Sequence, residues 1–257
     1  MKKFKLTSES IVNLSGRTLY RIKACTTFTT FSGNEIKVGD LGGFVEKESN
    51  LSHDEKAWIS DNAEVYGNAE VHGNAEVHGN AEVWGNAEVY GNAKVHGNAE
   101  VHGNAEVYGN AKVYDNAWIN DNVKVYDDAK VYVNAWVHGN AEVHGNAEVC
   151  GNAEVYGNAE VHGNAKVYGD AKVAGNTKVS GNAEVYGDAW VYGNAKVYGN
   201  AEVYGDTWVY GDAKVSGDAL VYDNAKVYGD AKVSGNTEVS GNAEVYDTEV
   251  KNYENLL

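Results

Sequence analysis

A chain of 257 residues with 30 Gly and no Pro departs from ordinary loop-rich composition, where both residues act as punctuation, and points to Gly serving a repeat. The formal net charge of −16 argues against general nucleic-acid or anionic-membrane binding and favours solubility or a basic partner. Two cysteines, Cys25 and Cys150, lie too far apart for a disulfide framework or a zinc spacing, and no stretch is apolar and long enough to span a membrane, so a reducing cytoplasmic setting is expected.

The chain opens on Met1-Lys2-Lys3-Phe4-Lys5-Leu6, basic but without the apolar run of a signal peptide. Thr18 to Ala24 reads as a strand, and Gly39-Asp40-Leu41-Gly42-Gly43 as a turn. We expect a mostly β capping segment over residues 1–50, a repeat region over 51–245, and a C-terminal cap or tail over 246–257, where the register slips by one.

From Ala57 to Ala243 a small residue recurs at every sixth position, giving 32 hexads of the form Ala-Glu/Lys-Val-Tyr/His-Gly-Asn/Asp without insertion or deletion. The Val slot holds only Val or Ile, and the Ala slot admits only Val123, Thr177, Thr207 and Thr237 as variants, so both slots are expected to face inward. Between and after them stand Glu, Lys, Trp, Tyr, His or Ser, the alternation of a short half-buried strand. Gly-Asn or Gly-Asp then turns the corner, since these types accept positive φ and Asn or Asp can bond its own backbone. One hexad cannot bury its Val alone, so the hexads must stack coil upon coil. Trp118, Trp136, Trp190 and Trp208 occupy the slot before Val or Ile at separations that are all multiples of 18, which predicts three hexads per coil and about 10–11 coils. The fold class is therefore all-β, a single-stranded parallel β-helix of triangular section.

The Val-x-Gly-Asn/Asp-Ala-x register resembles the hexapeptide-repeat superfamily of left-handed parallel β-helices, which includes acyltransferases and γ-class carbonic anhydrases. Gly39 to Gly43, Phe44-Val45-Glu46-Lys47-Glu48 and Asn50-Leu51-Ser52 are similar to the opening of the YdcK-type hexapeptide proteins of enteric bacteria and their phage-borne relatives. The resemblance implies a left-handed coil and a bacterial or phage origin. Acyltransferases of this fold place a catalytic His on or beside a loop that breaks the helix and bind coenzyme A between subunits. No such loop interrupts residues 57–243.

Seven of the eight His, at 72, 78, 96, 102, 138, 144 and 162, sit in the outward slot that Tyr fills elsewhere. Stacked pairs such as His78 with His96 and His144 with His162 offer two metal ligands and no third, so neither a metal nor any other cofactor is expected. His53, beside Asp54 and Glu55, reads as part of an irregular first coil, and no catalytic residue is assigned.

The outward columns say more. One coil at a time, the slot before Val on the Trp face runs Glu100, Trp118, Trp136, Glu154, Lys172, Trp190, Trp208, Lys226, a series complementary to its own reverse. An antiparallel two-fold pairing sets Trp118 against Trp208, Trp136 against Trp190 and Glu154 against Lys172, with Tyr156 opposite Ala174 and His138 opposite Tyr192. The expected interface of a homodimer is therefore Trp118, Trp136, Glu154, Lys172, Trp190, Tyr192, Trp208 and Tyr210. A second column ends in Lys178, Lys196, Lys214 and Lys232, flanked in part by Ser180, Ser216 and Ser234, and is a candidate anion-binding ladder. The reading that best fits is a non-enzymatic structural or binding solenoid acting through flat aromatic and charged faces. An acyltransferase-like enzyme and an acidic mimic of DNA, suggested by Glu columns such as 64, 82 and 100, are the alternatives. Ice binding is set aside because Thr177, Thr207 and Thr237 point inward.

Overall fold

The computed structural model describes residues 2–251 and 255–256. It is a β-solenoid in which strands of two or three residues recur every six residues from Trp58–Ile59 to Glu244–Tyr246. The chain divides into two compact units, residues 1–128 and 129–257.

The first unit begins with β1 (Phe4–Val12), β2 (Thr18–Ala24), the short β3 (Phe28–Thr29) and β4 (Glu35–Ile36), and β5 (Leu41–Val45). β1 pairs antiparallel with β2, and β2 with β5. β5 then lies parallel to the first strand of one solenoid face, with Val45 beside Val65. The β1–β2 hairpin therefore covers the edge that this face would otherwise leave open to a further strand. Lys3 plugs the same end. Its side chain is buried, and Nζ donates to the Ala57 carbonyl at 2.8 Å. Burial of the ammonium lowers its pKa to about 8, despite the nearby Asp54 and Glu55 carboxylates. Asn50 is also buried, and its amide donates to the carbonyls of Gly67 and Ala69, which anchors the irregular first coil.

The N-terminal segment does more than cap an end. Trp58 occupies an outward slot yet is almost fully buried, because Phe28 of the β3–β4 hairpin packs edge-on against it with ring centroids 5.4 Å apart. One coil on, Glu76 is buried too and accepts hydrogen bonds from the backbone amide and the hydroxyl of Ser32. A long-range hairpin has covered two outward slots, which no local periodicity encodes.

Each coil contributes one strand to each of three faces. In the first unit the pairs Val65 with Val83, Val71 with Val89 and Val77 with Val95 are parallel and 18 residues apart. In the second unit Val155 with Val173, Val161 with Val179 and Val167 with Val185 repeat the pattern. Three hexads per coil thus hold in both units. The inward Val and Ala side chains are buried, apart from Ala243 at the C-terminal end, which is half-buried. Backbone amides bond to the next coil along the stack, as in Glu154 N–H to the Ala171 carbonyl at 2.9 Å. Thr177, Thr207 and Thr237 do sit in the core, and each hydroxyl is satisfied by donating to the carbonyl three residues earlier, such as Ala174 at 2.7 Å from Thr177.

The corners are equally regular. Asn side chains form amide ladders, with Asn140 donating to Asn158 and Asn158 to Asn176, both at 3.0 Å. Where the register slips near the C-terminus, Asp247 adopts φ 48° and Val250 pairs with Val233, one residue out of step with the coils before it. The strand pairing nonetheless continues, with Leu256 beside Val239.

Candidate binding face

The outward columns stand outside this nearly uniform core and are set by it. On the Trp face of the second unit, the slot before Val reads Trp136, Glu154, Lys172, Trp190, Trp208 and Lys226 in successive coils. Trp136, Trp190 and Trp208 remain 39%, 37% and 42% exposed, although each is a large apolar side chain. Trp118 lies in the first unit, follows Glu100 in its stack and is 45% exposed. Trp190 and Trp208 stack with centroids 5.7 Å apart.

At the centre of this column Lys172 bonds to Glu154 of its own chain at 3.2 Å, and its Nζ lies 5.2 Å from the centre of the Trp190 ring. The two charges expected to meet across a two-fold axis therefore already meet along the stack. Their order, acid on one coil and base on the next, is unchanged by that contact.

Beside it runs the corner column that follows Val. His138 stacks on Tyr156 at 5.0 Å, Tyr192 on Tyr210 at 5.1 Å and Tyr210 on Tyr228 at 5.0 Å. Tyr192 also meets Trp208 edge-on at 6.2 Å, which ties the two columns together. Burial raises the Tyr192 phenol above its ordinary range, and Tyr210 adds to the shift. Between Tyr156 and Tyr192 the ladder lacks a ring, because the slot holds Ala174. Ala174 floors a cleft of about 430 Å³ walled by Tyr156, Lys172, Trp190, Tyr192 and Trp208. The pairing of large Tyr156 with small Ala174 was visible in the sequence; the cleft itself was not.

The Lys column runs along one face, with acidic neighbours beside it. Lys178 bonds both oxygens of Glu160, at 2.9 and 2.8 Å. Lys196, Lys214 and Lys232 line a groove of about 590 Å³ together with Asp212, Asp230 and Glu249. Carboxylates of the chain's own corners and of its last strands thus stand beside the ladder, neighbours that reading one column at a time overlooks.

The His residues occupy their ladders as rungs. His78 stacks on His96 at 4.8 Å and His144 on His162 at 5.0 Å. Burial lowers the His96 and His162 pKa values, with His78 and His144 adding to the effect, and burial lowers that of His102. No group of three or more His, Cys, Asp or Glu suited to a metal occurs among the described residues. His53 belongs to the first coil: its ring stacks on Phe4 at 4.3 Å, Nδ1 accepts from the Lys3 amide, and Nε2–H donates to Glu48 at 2.8 Å.

One recurrent contact escaped sequence reading. A corner Tyr donates to the Glu sixteen residues later, which sits on the next coil of the same face, as in Tyr168 to Glu184 at 2.9 Å and Tyr186 to Glu202 at 3.0 Å. Burial and this bond both push those phenols up. The offset of sixteen becomes meaningful only once the coil length is known.

Compared with protein-family models and with curated proteins, the chain matches none.

Proposed function

We propose that this chain is a non-enzymatic binding solenoid whose Trp face pairs with a second copy of itself. The observation that carries the reading is the row of half-exposed Trp136, Trp190 and Trp208 on one flat face, with Glu154 and Lys172 at its centre. Large exposed aromatics clustered on a regular surface mark interaction sites, because their hydration is relieved only by a partner. The order Trp136, Glu154, Lys172, Trp190 reverses onto itself with the charges exchanged, which is what an isologous contact requires. In that pairing each Lys172 gains a second carboxylate beside the one it already holds, and Trp136 meets Trp190. The hexads offer no interrupting loop on which an acyltransferase would mount its His, and the His side chains of the repeat are engaged in stacks.

Sedimentation equilibrium of the full chain at tens of micromolar tests this. A two-chain mass is expected, with dissociation when Trp190 is changed to Ser. A one-chain mass at that concentration overturns the proposal.

A further inference from the structure

The break in the corner ladder bears on how such a pair would lock. In a continuous ladder the rings lie face against face about 5 Å apart, so they show solvent only their edges. At Ala174 a rung is missing, and the opposed faces of Tyr156 and Tyr192 border the cleft, with Trp190 and Lys172 beside them. A ring entering there would stack on both neighbours and remove apolar surface from water.

Resting on the pairing proposed above, we propose that Tyr156 of a second copy fills the Ala174 notch and that this exchange fixes the register of the homodimer. The occupant follows from the column order. When Glu154 of each copy faces Lys172 of the other, Tyr156 of each stands at the height of the other's Ala174, since these residues belong to the same two coils. Each copy then supplies one knob and one hole, and the symmetry uses both. The two Tyr156 rings also come to lie on adjacent levels, where they can stack across the axis. The surrounding charges suit this occupant, because Lys172 at the rim is offered the Glu154 that travels with the incoming Tyr156.

Exchange of knob and hole is the test. Sedimentation velocity over a dilution series compares the wild-type full chain with A174Y, Y156A and the double variant Y156A/A174Y. A174Y completes the ladder with a residue that many other hexads carry in this slot, so it should fold, and thermal melting by circular dichroism verifies that. A174Y and Y156A are each expected to weaken dimerisation by tenfold or more. The double variant, with knob and hole interchanged, is expected to recover to within about threefold of wild type. A wild-type dimer whose dissociation constant A174Y leaves unchanged, or a double variant no better than A174Y, overturns the notch while leaving the dimer reading intact. A monomeric wild type overturns both. Stoichiometric binding of anilinonaphthalene sulfonate to the wild-type dimer, abolished by A174Y, also overturns it, because the notch would then be open to a planar ligand.

Discussion

Replacing Gly157 tests how the corners hold the coils at their spacing. Gly157 has φ 74°, and a Cβ added there would stand 2.9 Å from the amide nitrogen and 3.1 Å from the carbonyl oxygen of Gly175 in the next coil. An L-residue in the left-handed region costs about 1–2 kcal/mol. Ala also loses less chain entropy on folding than Gly, which offsets about 0.4–1 kcal/mol of that. The close backbone contact acts against the variant, and G157A should be destabilised by about 1–2 kcal/mol, a fall in melting temperature of roughly 2–8 °C for a chain of this size. G157N separates the two causes: it keeps the Cβ contact while its amide bonds locally and relieves the left-handed strain. Asp115, Asp121 and Asp127, with φ of 60°, 63° and 58°, show that such side chains fit at corners elsewhere. Thermal melts should rank wild type above G157N, and G157N above G157A. A G157A protein melting at or above wild type refutes the reasoning, and equal melting of the two variants assigns the whole effect to the Cβ contact.

Two pH dependences follow from the partly buried bases. His96, His102 and His162 have pKa values below the ordinary 6.5, so between 6.5 and their folded values the unfolded chain binds more protons than the folded one. Stability should therefore fall as pH drops through that window and level off below it; urea midpoints at pH near 7.5 and near 5.5 measure this, and H78Y/H144Y should reduce the slope by removing the neighbours that add to the shift in His96 and His162. Lys3 behaves in the same sense higher up: with a folded pKa of about 8 against 10.5 in the unfolded chain, wild type should gain stability relative to K3M as pH rises through that range, and a constant difference between the two would show that the ammonium is not desolvated.

The repeat was legible because its constraints are local and periodic. Every inward Val must be covered by the coils beside it, so the sequence tolerates almost nothing else there, and the side chains are fully buried. The 18-residue coil was readable from the Trp spacing, and the parallel pairing of Trp190 with Trp208 realises it. What remained hidden depends on contacts between columns or on the aperiodic segment. Trp58 and Glu76 lie under a hairpin thirty or more residues upstream, and Lys3 reaches a carbonyl beyond residue 50. The centre of the Trp face illustrates the other limit: Glu154 and Lys172 are one coil apart in one column, so their bond within the chain follows from the same period that sets them opposite one another in the proposed dimer.

In the proposed dimer, the division between inner and outer slots also decides how the Trp face would specify one pairing. The inward slots repeat nearly unchanged from coil to coil, so the backbone would accept any antiparallel register that slides in steps of one coil. Discrimination must come from the outward columns. Sliding one step in one direction sets Lys172 against Lys172 and leaves the two Ala174 notches facing each other, empty. Sliding one step in the other sets Glu154 against Glu154 and drives Tyr156 against Tyr156. Both shifts place like charges opposite one another and mismatch the shapes, whereas the register between them matches acid to base and ring to notch. A single Ala in a ladder of rings, set on the same coil as the Lys, would thus exclude both neighbouring registers by steric and electrostatic terms acting together.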